Sequence, residues 1–182
     1  MSAATGLSDS TRAVIESVGG GARLTQQYIG DDPRKELLEL DRQISLEEPV
    51  TKENLEGMFN VKIQIAALAG VEIYKVSPRK PNSSMDGRVF LHIHGGGFAL
   101  RGGIASAFEG SAIASTSGID VISVDYTLST ESPFPTALNE LLAVYQELLK
   151  TLPAKLIAVG GSSAGDNLTL ALVHKLKALG LP

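Results

Sequence analysis

The sequence predicts an α/β fold: a mostly parallel sheet of about five strands with helices on both faces. Short apolar runs alternate with amphipathic stretches of helical length from residue 60 onward, the pattern of successive β-α-β units. Two of these runs end in clusters of glycine, which mark tight turns after a strand. The 182 residues are 43% hydrophobic, enough apolar material to bury one sizeable core.

The first 60 residues are polar and predict helices in separate pieces. One helix is predicted over residues 7–18, and a short one within residues 49–60. Another begins at Asp32, since Pro33 suits the first helical position. Its apolar stripe consists of Leu37, Leu38 and Leu40. We therefore separate an N-terminal helical cap segment, residues 1–60, from a core, residues 61–182. A solvated appendage and a lid over a site remain open for the cap segment.

The core is predicted element by element from its periodicity. Residues 61–76 predict two strands around a turn at Gly70, and residues 78–87 are rich in residue types that favour turns. Further strands are predicted at 88–94, 119–126 and 154–161, and helices at 105–117, 133–152 and 162–179. The helix near 140 is the most clearly amphipathic, and its apolar face consists of Leu138, Leu141, Leu142, Tyr145 and Leu149.

Composition excludes several classes of function. The 16 basic and 20 acidic residues give a net charge of −4, which does not attract nucleic acid or an anionic membrane. Cysteine is absent and only three histidines are present, which excludes disulfides, zinc-thiolate sites and poly-histidine metal sites. No apolar leader and no apolar stretch of membrane-spanning length occurs in the sequence. We expect a soluble, cytoplasmic protein.

The first candidate for chemistry is Gly161-Ser162-Ser163-Ala164-Gly165, which fits G-x-S-x-G centred on Ser163. A predicted strand ends at this motif and a predicted helix begins just after it. Such a strand–turn–helix connection exposes the central hydroxyl in front of the helix N-terminus, which favours negative charge. An ordinary glycine-rich turn or a phosphate-binding turn is the alternative.

The second candidate is the run His94-Gly95-Gly96-Gly97, again at the end of a predicted strand. Successive glycines allow backbone N–H groups to point outward, where they can donate to an oxyanion. We expect His94 to support this loop by hydrogen bonding rather than to act as a base. A flexible loop without function is the alternative.

These two motifs, with DYTLSTESPFPTALNE between them, resemble the hormone-sensitive-lipase-like branch of the α/β-hydrolases in order and spacing. The resemblance covers about residues 60–180. It implies that Ser163 is a nucleophile, that Gly96, Gly97 and Ala164 donate to the oxyanion, and that Gly95 supports the loop. It also implies a small-molecule ester substrate of short to medium acyl length, with no metal and no organic cofactor.

Several positions depart from the family pattern. Ser162 replaces the usual Asp beside the serine, and Asp166 replaces a Gly, which places a carboxylate three residues from Ser163. In the central motif three further positions differ from the usual Arg, Pro and His: Thr127, Thr130 and Ser132. These changes leave the nucleophile and the donors in place and put the level of activity in question.

No complete catalytic triad is predicted within the chain. In this fold an acid and then a histidine follow the serine, and only Asp166 and His174 are candidates after Ser163. His174 follows by eleven residues in one predicted helix, about 16 Å along the axis, so it is expected on the helix surface. His92 is expected to pack within the sheet. The strand ending near Gly161, interior in the family, is expected at a sheet edge.

We therefore interpret the chain as the N-terminal part of a larger serine carboxylesterase. The base and acid would come from a complementary C-terminal segment, a second chain or a partner copy in a homo-oligomer. A non-catalytic small-molecule-binding member of the fold and an inactive truncated fragment remain alternatives. An amidase or an acyltransferase would share every motif.

Overall fold

The computed structural model describes residues 32–47 and 50–182. The helix predicted over residues 7–18 lies outside them. Five helices are described: α1 (Pro33–Glu47), α2 (Lys52–Phe59), α3 (Phe108–Ser117), α4 (Thr136–Leu149) and α5 (Ala164–Ala178). Five strands are described: β1 (Val61–Leu68), β2 (Val71–Pro78), β3 (Val89–Ile93), β4 (Asp120–Val124) and β5 (Ile157–Gly161). Short 3-10 turns cover Ser83–Met85, Gly103–Ala107 and Ala154–Leu156.

The strands form one sheet in the order β1-β2-β4-β3-β5. β1 and β2 are an antiparallel hairpin, closed by Ala69 and Gly70 with positive φ angles of 52° and 83°. β2 pairs antiparallel with β4, whereas β3 is parallel to both β4 and β5. Ile93 lies opposite both Val124 and Gly161, so the three parallel strands end side by side. The segments that follow them therefore meet at one edge of the sheet.

Helices cover both faces of the sheet, as predicted. α4 and α5 pack on one face through residues such as Leu141 and Leu172, both fully buried. α2 and α3 pack on the other face, where Leu55 is buried against the sheet. On α4 the predicted Leu138, Leu141 and Tyr145 are buried. Leu142 and Leu149 are only partly buried, whereas Val144 and Leu148, which were not predicted, are buried.

Helix α1 begins at Pro33 as predicted, but its leucines lie outside both core clusters, and of the predicted stripe only Leu40 is half-buried. Leu37 and Leu38 remain 37% and 45% exposed. The contacts of α1 with the core are polar instead: Arg34 and Asp41 bond to the backbone of two loops, described below. The helical pattern was correctly interpreted, whereas the apolar stripe covers none of the main core clusters.

Strand β5 pairs only with β3 and forms the edge of the sheet within residues 50–182. This confirms the expectation from the sequence. Beside it, Leu170 and Val173 on α5 are 65% and 50% exposed. Within the described part of the chain, every helix is too short or too polar to cross a lipid bilayer.

Candidate active site

Ser163 lies at the turn between β5 and α5, in the segment that we call the elbow, residues 161–165. Its backbone has φ 50° and ψ −116°, a conformation that non-glycine residues rarely adopt. The side chain is exposed, and its hydroxyl has no hydrogen-bond partner among the described residues. Strained backbone persists only where the surrounding packing holds it. The structure thus presents the central serine of G-x-S-x-G free at the tip of a strand–turn–helix connection.

Glycine is required on both sides of Ser163 because the elbow packs directly on β3. A Cβ on Gly161 would lie 2.2 Å from the Ile93 carbonyl oxygen, and one on Gly165 would lie 2.0 Å from the same atom. These contacts involve backbone, which cannot rotate away. The elbow is therefore fixed against the end of β3 with no side chain between them.

The segment after β3, residues 94–97, forms the glycine loop. Gly96 has φ 113° and Gly97 has φ 62°, and the Gly96 carbonyl accepts from Ala99 and Leu100 N–H at 3.1 and 3.0 Å. Among the described residues, the N–H groups of Gly96, Gly97 and Ala164 have no hydrogen-bond acceptor. Ala164 N–H belongs to the first turn of α5, where donors are left free by helix geometry.

The glycine loop touches the elbow. A Cβ on Gly95 would lie 2.9 Å from Ser162 Oγ and 3.4 Å from Ser163 Cβ. The loop that carries the free N–H groups of Gly96 and Gly97 therefore packs against the turn that carries Ser163. This arrangement could accommodate a tetrahedral oxyanion, although the roles of these residues stay predictions.

His94 contacts the glycine loop through its ring, and its role as loop support stays a prediction. It is 3% exposed, its ring stacks on Tyr126 at 4.2 Å, and its Nδ1 lies 2.7 Å from the Gly95 carbonyl oxygen. Burial lowers the pKa of His94 to about 4, so the ring is neutral at pH 7. A carbonyl only accepts, so Nδ1 carries the proton and donates. The Tyr126 hydroxyl donates to the His94 carbonyl at 2.9 Å, which fixes the same residue from its other end.

None of the three histidines hydrogen-bonds Ser163. His92 is 1% exposed within the sheet, with its Nδ1 3.1 Å from Ser123 Oγ and its Nε2 3.3 Å from Glu109 Oε2. His174 is exposed on α5, as expected.

The positions that depart from the family pattern all have defined surroundings. Ser162 Oγ donates to both carboxylate oxygens of Glu109, at 2.9 and 2.7 Å. Asp166 is exposed in the first turn of α5, where a negative charge complements the helix N-terminus.

In the central motif, Thr127 donates through its N–H and its hydroxyl to the Glu140 carboxylate, at 2.7 and 2.6 Å. Ser132 Oγ lies 2.8 Å from Thr136 Oγ1, at the start of α4. The Thr130 hydroxyl is buried without a partner in the described chain.

Asp125 follows β4 at the same edge of the sheet. Its Oδ1 accepts the Gly103 N–H at 2.9 Å, and it lines a polar cavity of about 270 Å³ together with Asp41 and Glu131. Burial raises the pKa of Asp125 to about 6, with nearby carboxylates adding to the effect. The carboxyl is therefore close to half protonated near pH 6.

An apolar cavity of about 300 Å³ lies beside the elbow. It opens between Phe98, which follows the glycine loop, and Asn167, on the first turn of α5. Its walls combine the loop before α4 with the facing sides of α4 and α5: Thr127, Ser129, Ser132, Phe134, Pro135, Ala137, Leu138, Leu168 and Ala171. A small apolar group could occupy it, a few residues along α5 from the elbow.

Comparison with known proteins decides the family. The model of a family described as alpha/beta hydrolase fold matches residues 90–182, 93 of the 182 residues. This chain belongs to that α/β-hydrolase family.

Relatives and solved structures agree with the family match. An esterase of Acinetobacter venetianus is 38% identical over 118 residues, covering 64% of this chain and 38% of the relative. A hormone-sensitive lipase of Ictidomys tridecemlineatus is 30% identical over 117 residues, covering 62% of this chain and 15% of the relative. The crystal structure of an esterase, E25, matches 100% of this chain and 55% of its own, with a TM-score of 0.81 and 29% identity. The chain is a hormone-sensitive-lipase-like α/β-hydrolase. It spans little more than a third of the length of the Acinetobacter esterase and about half of E25.

In this α/β-hydrolase, helix α1 contacts two loops near the candidate site. Arg34 Nε donates to the Thr130 carbonyl at 2.6 Å, and Asp41 accepts from the Arg101 N–H at 2.9 Å. Residues 98–103 follow the glycine loop, and residues 127–132 follow β4. The helix therefore contacts both loops that border the candidate site. The domain boundary at residue 60 stays a prediction.

Sequence reasoning did not find the polar residues of the α/β-hydrolase that lie behind the elbow, Glu109 and Ser123, or the role of Tyr126. Glu109 is 53 residues from Ser162 in the chain, and no local pattern signals that contact. Tyr126 carried a usable signal, because it is the last residue of a strand predicted to lie with β3 in a mostly parallel sheet. Residues after adjacent parallel strands meet at one sheet edge.

Proposed function

We propose that this chain carries the nucleophile and the oxyanion donors of a carboxylic-ester hydrolase. The observation that carries the proposal is the free Ser163 hydroxyl on a strained elbow, packed against a glycine loop whose N–H groups have no other acceptor. Relatives named as esterases and hormone-sensitive lipases support the same reaction class.

The proposed reaction has two steps. Ser163 Oγ attacks the ester carbonyl carbon while a base removes its proton, and the carbonyl oxygen becomes an anion. The N–H groups of Gly96, Gly97 and Ala164 stabilise that anion, each contributing about 3 kcal/mol in comparable enzymes. The alcohol leaves with the proton, and water then hydrolyses the acyl-serine to release the acid and restore the hydroxyl. Neither step needs a metal or an organic cofactor.

The base and the acid of the triad would come from outside this chain. His92 is engaged by Ser123 and Glu109, His94 is buried under Tyr126, and His174 is exposed along α5. A histidine supplied by a further segment, a second chain or a partner copy would approach Ser163 from the exposed side of the elbow.

The substrate would be a short- to medium-chain ester. The apolar cavity of about 300 Å³ between Phe98 and Asn167 is at the lower end of the range of ligand pockets, about 300–1,000 Å³. It suits a small acyl or alkyl group better than a long lipid chain. Helix α1 would act as part of the cap, since Arg34 and Asp41 hold it against the loops beside the cavity.

The test is intact-mass spectrometry before and after treatment with a fluorophosphonate probe. We expect a phosphonyl adduct that maps to Ser163 and is lost in Ser163→Ala. Ser77→Ala is the matched control, since it removes an exposed hydroxyl on β2 far from the elbow. The untreated mass shows whether a further polypeptide accompanies the 19.1 kDa chain.

Absence of an adduct from a single 19.1 kDa species would contradict the esterase proposal for this chain. Retained binding of a p-nitrophenyl ester without its hydrolysis would then favour a binding member of the fold. Release of p-nitrophenol that depends on Ser163 would support the hydrolase, and its dependence on acyl length would test the proposed substrate range.

A further inference from the structure

Four side chains form a continuous polar connection behind the elbow. Ser123 Oγ lies 3.1 Å from His92 Nδ1, His92 Nε2 lies 3.3 Å from Glu109 Oε2, and Ser162 Oγ donates to both Glu109 oxygens. They come from β4, β3, α3 and the elbow. His92 and Ser123 are fully buried, whereas the Glu109 side chain is 44% exposed. The reaction proposed above uses none of these side chains.

Glu109 is ionised at neutral and mildly acidic pH. The hydrogen bond from His92 is the largest cause that lowers the pKa of Glu109, to about 2, and the bond from Ser162 acts in the same direction. An ionised carboxylate only accepts hydrogen bonds. The proton between the two groups is therefore on His92 Nε2, and the Ser162 hydroxyl donates. Hydrogen bonds to a charged acceptor are about twice as strong as neutral ones.

Ser162 forms hydrogen bonds through both its side chain and its backbone. Its carbonyl accepts from the N–H groups of Gly165 and Asp166, at 2.7 and 3.3 Å, at the start of α5. Its Oγ lies 2.9 Å from the position that a Cβ on Gly95 would occupy, so Ser162 packs closely against the glycine loop. A displacement of Ser162 would therefore move Ser163 and the glycine loop relative to each other.

We propose that Glu109 is a positioning residue for Ser163: by holding the Ser162 hydroxyl, it sets the placement of Ser163 Oγ relative to the N–H groups of the glycine loop. The proposal rests on the proposed function of Ser163 as a nucleophile. Glu109 touches neither the substrate nor Ser163 Oγ, and it transfers no proton. Loss of the Glu109–Ser162 contact would therefore lower the rate of the step at Ser163. A misplacement of about 1 Å at a reacting atom lowers such a rate about 100-fold.

The test compares Glu109→Gln, Ser162→Ala and the double variant in the 182-residue chain with any polypeptide that accompanies it. Glu109→Gln keeps the size of the side chain, but its neutral amide is a weaker acceptor for Ser162 and places N–H donors toward His92. Glu53→Gln is the matched control, since it removes an exposed acid from the first turn of a helix on the same face of the sheet.

The first readout is the fluorophosphonate rate at Ser163 over a range of probe concentrations. We expect Glu109→Gln to lower the maximal rate 10- to 100-fold, with half-saturation changed less than about twofold. A loss of folded protein would lower the labelled fraction instead of the rate constant. Because one contact is removed in either case, the double variant is expected to react no more slowly than the slower single variant.

The second readout does not depend on catalysis. Hydrogen–deuterium exchange of residues 161–166 is expected to accelerate in both single variants, while exchange of the same residues in Glu53→Gln stays unchanged. If the parent chain does not react with the probe but exchange accelerates, the proposed function fails and the Glu109–Ser162 contact stands. If Glu109→Gln reacts at the parent rate, or if the effects of the single variants simply add, the positioning role is refuted.

Discussion

Replacement of Asp125 by Asn should stabilise the chain near neutral pH and have little effect in acid. Asp125 lies after β4, partly buried, and accepts the Gly103 N–H at 2.9 Å. The Asn side chain retains an oxygen for that hydrogen bond. What it removes is the cost of holding a carboxylate in a buried position near Glu72, Glu131 and Glu140.

The size of the effect follows from the pKa. Burial raises the pKa of Asp125 from 3.8 to about 6 in the folded chain. A carboxyl whose pKa is raised by folding leaves stability intact below its unfolded pKa and lowers it as pH rises through the folded value. At about 1.4 kcal/mol for each pKa unit, the full difference of about two units is an upper limit near 3 kcal/mol. We expect Asp125→Asn to gain about 1 to 3 kcal/mol at pH 7.5 and little at pH 3.5.

The assay is urea unfolding of the parent chain and of Asp125→Asn at pH 3.5, 5.5 and 7.5, followed by circular dichroism. Asp120→Asn is the matched control, since it removes the same charge from an exposed position at the other end of β4. A gain that grows between pH 3.5 and 7.5 only in Asp125→Asn supports the argument. An equal stability change at all three pH values would show that burial of Asp125 does not raise its pKa.

Three further perturbations have distinct expected outcomes. Gly96→Ala should abolish probe labelling, because its Cβ would lie 2.3 Å from the Leu100 carbonyl oxygen, whereas Gly97→Ala has open space and should cost only about 1 to 2 kcal/mol in urea unfolding. Equal labelling by both variants would contradict the proposed donor loop. Leu172→Ala, in the core between α5 and the sheet, should cost about 2 to 5 kcal/mol in the same assay, and a loss below about 1 kcal/mol would contradict its full burial. Glu109→Gln should be less stable than the parent at pH 6, and the difference should shrink at pH 3, because the parent loses this contribution as pH falls from 4.5 towards 2; a constant difference would refute that pKa shift.

Local patterns in the sequence were sufficient to predict most elements of the fold. The β1–β2 hairpin at Gly70, the start of α1 at Pro33 and the end of α3 at Gly118 each depend on the chemistry of a few neighbouring residues. The same holds for the elbow around Ser163 and for the glycine loop, since a strand, a tight turn and small residues are adjacent in the chain.

Contacts between distant segments were beyond local patterns. Glu109 bonds to Ser162 only because the sheet places α3 behind β3 and β5, and the strand order is a property of the whole fold. The raised pKa of Asp125 likewise requires burial that no local pattern provides. The exposure of Leu37 and Leu38 on α1 was also beyond local patterns, because helical spacing identifies an apolar side of a helix but does not say whether anything covers it.

The backbone-to-backbone packing of Gly161 and Gly165 on Ile93 has a consequence for how such a protein can evolve. Where two backbones touch, no rotamer can change and no smaller side chain can be chosen, so Gly161 and Gly165 tolerate almost no substitution. The cavity beside it is lined by ordinary side chains, among them Phe98 and Phe134, the latter 81% exposed. Under the proposed function, substitutions there would alter which ester is accepted while Ser163 keeps its place. The residues that fix the position of Ser163 and the residues that shape the cavity are therefore different, and the two sets can evolve at different rates.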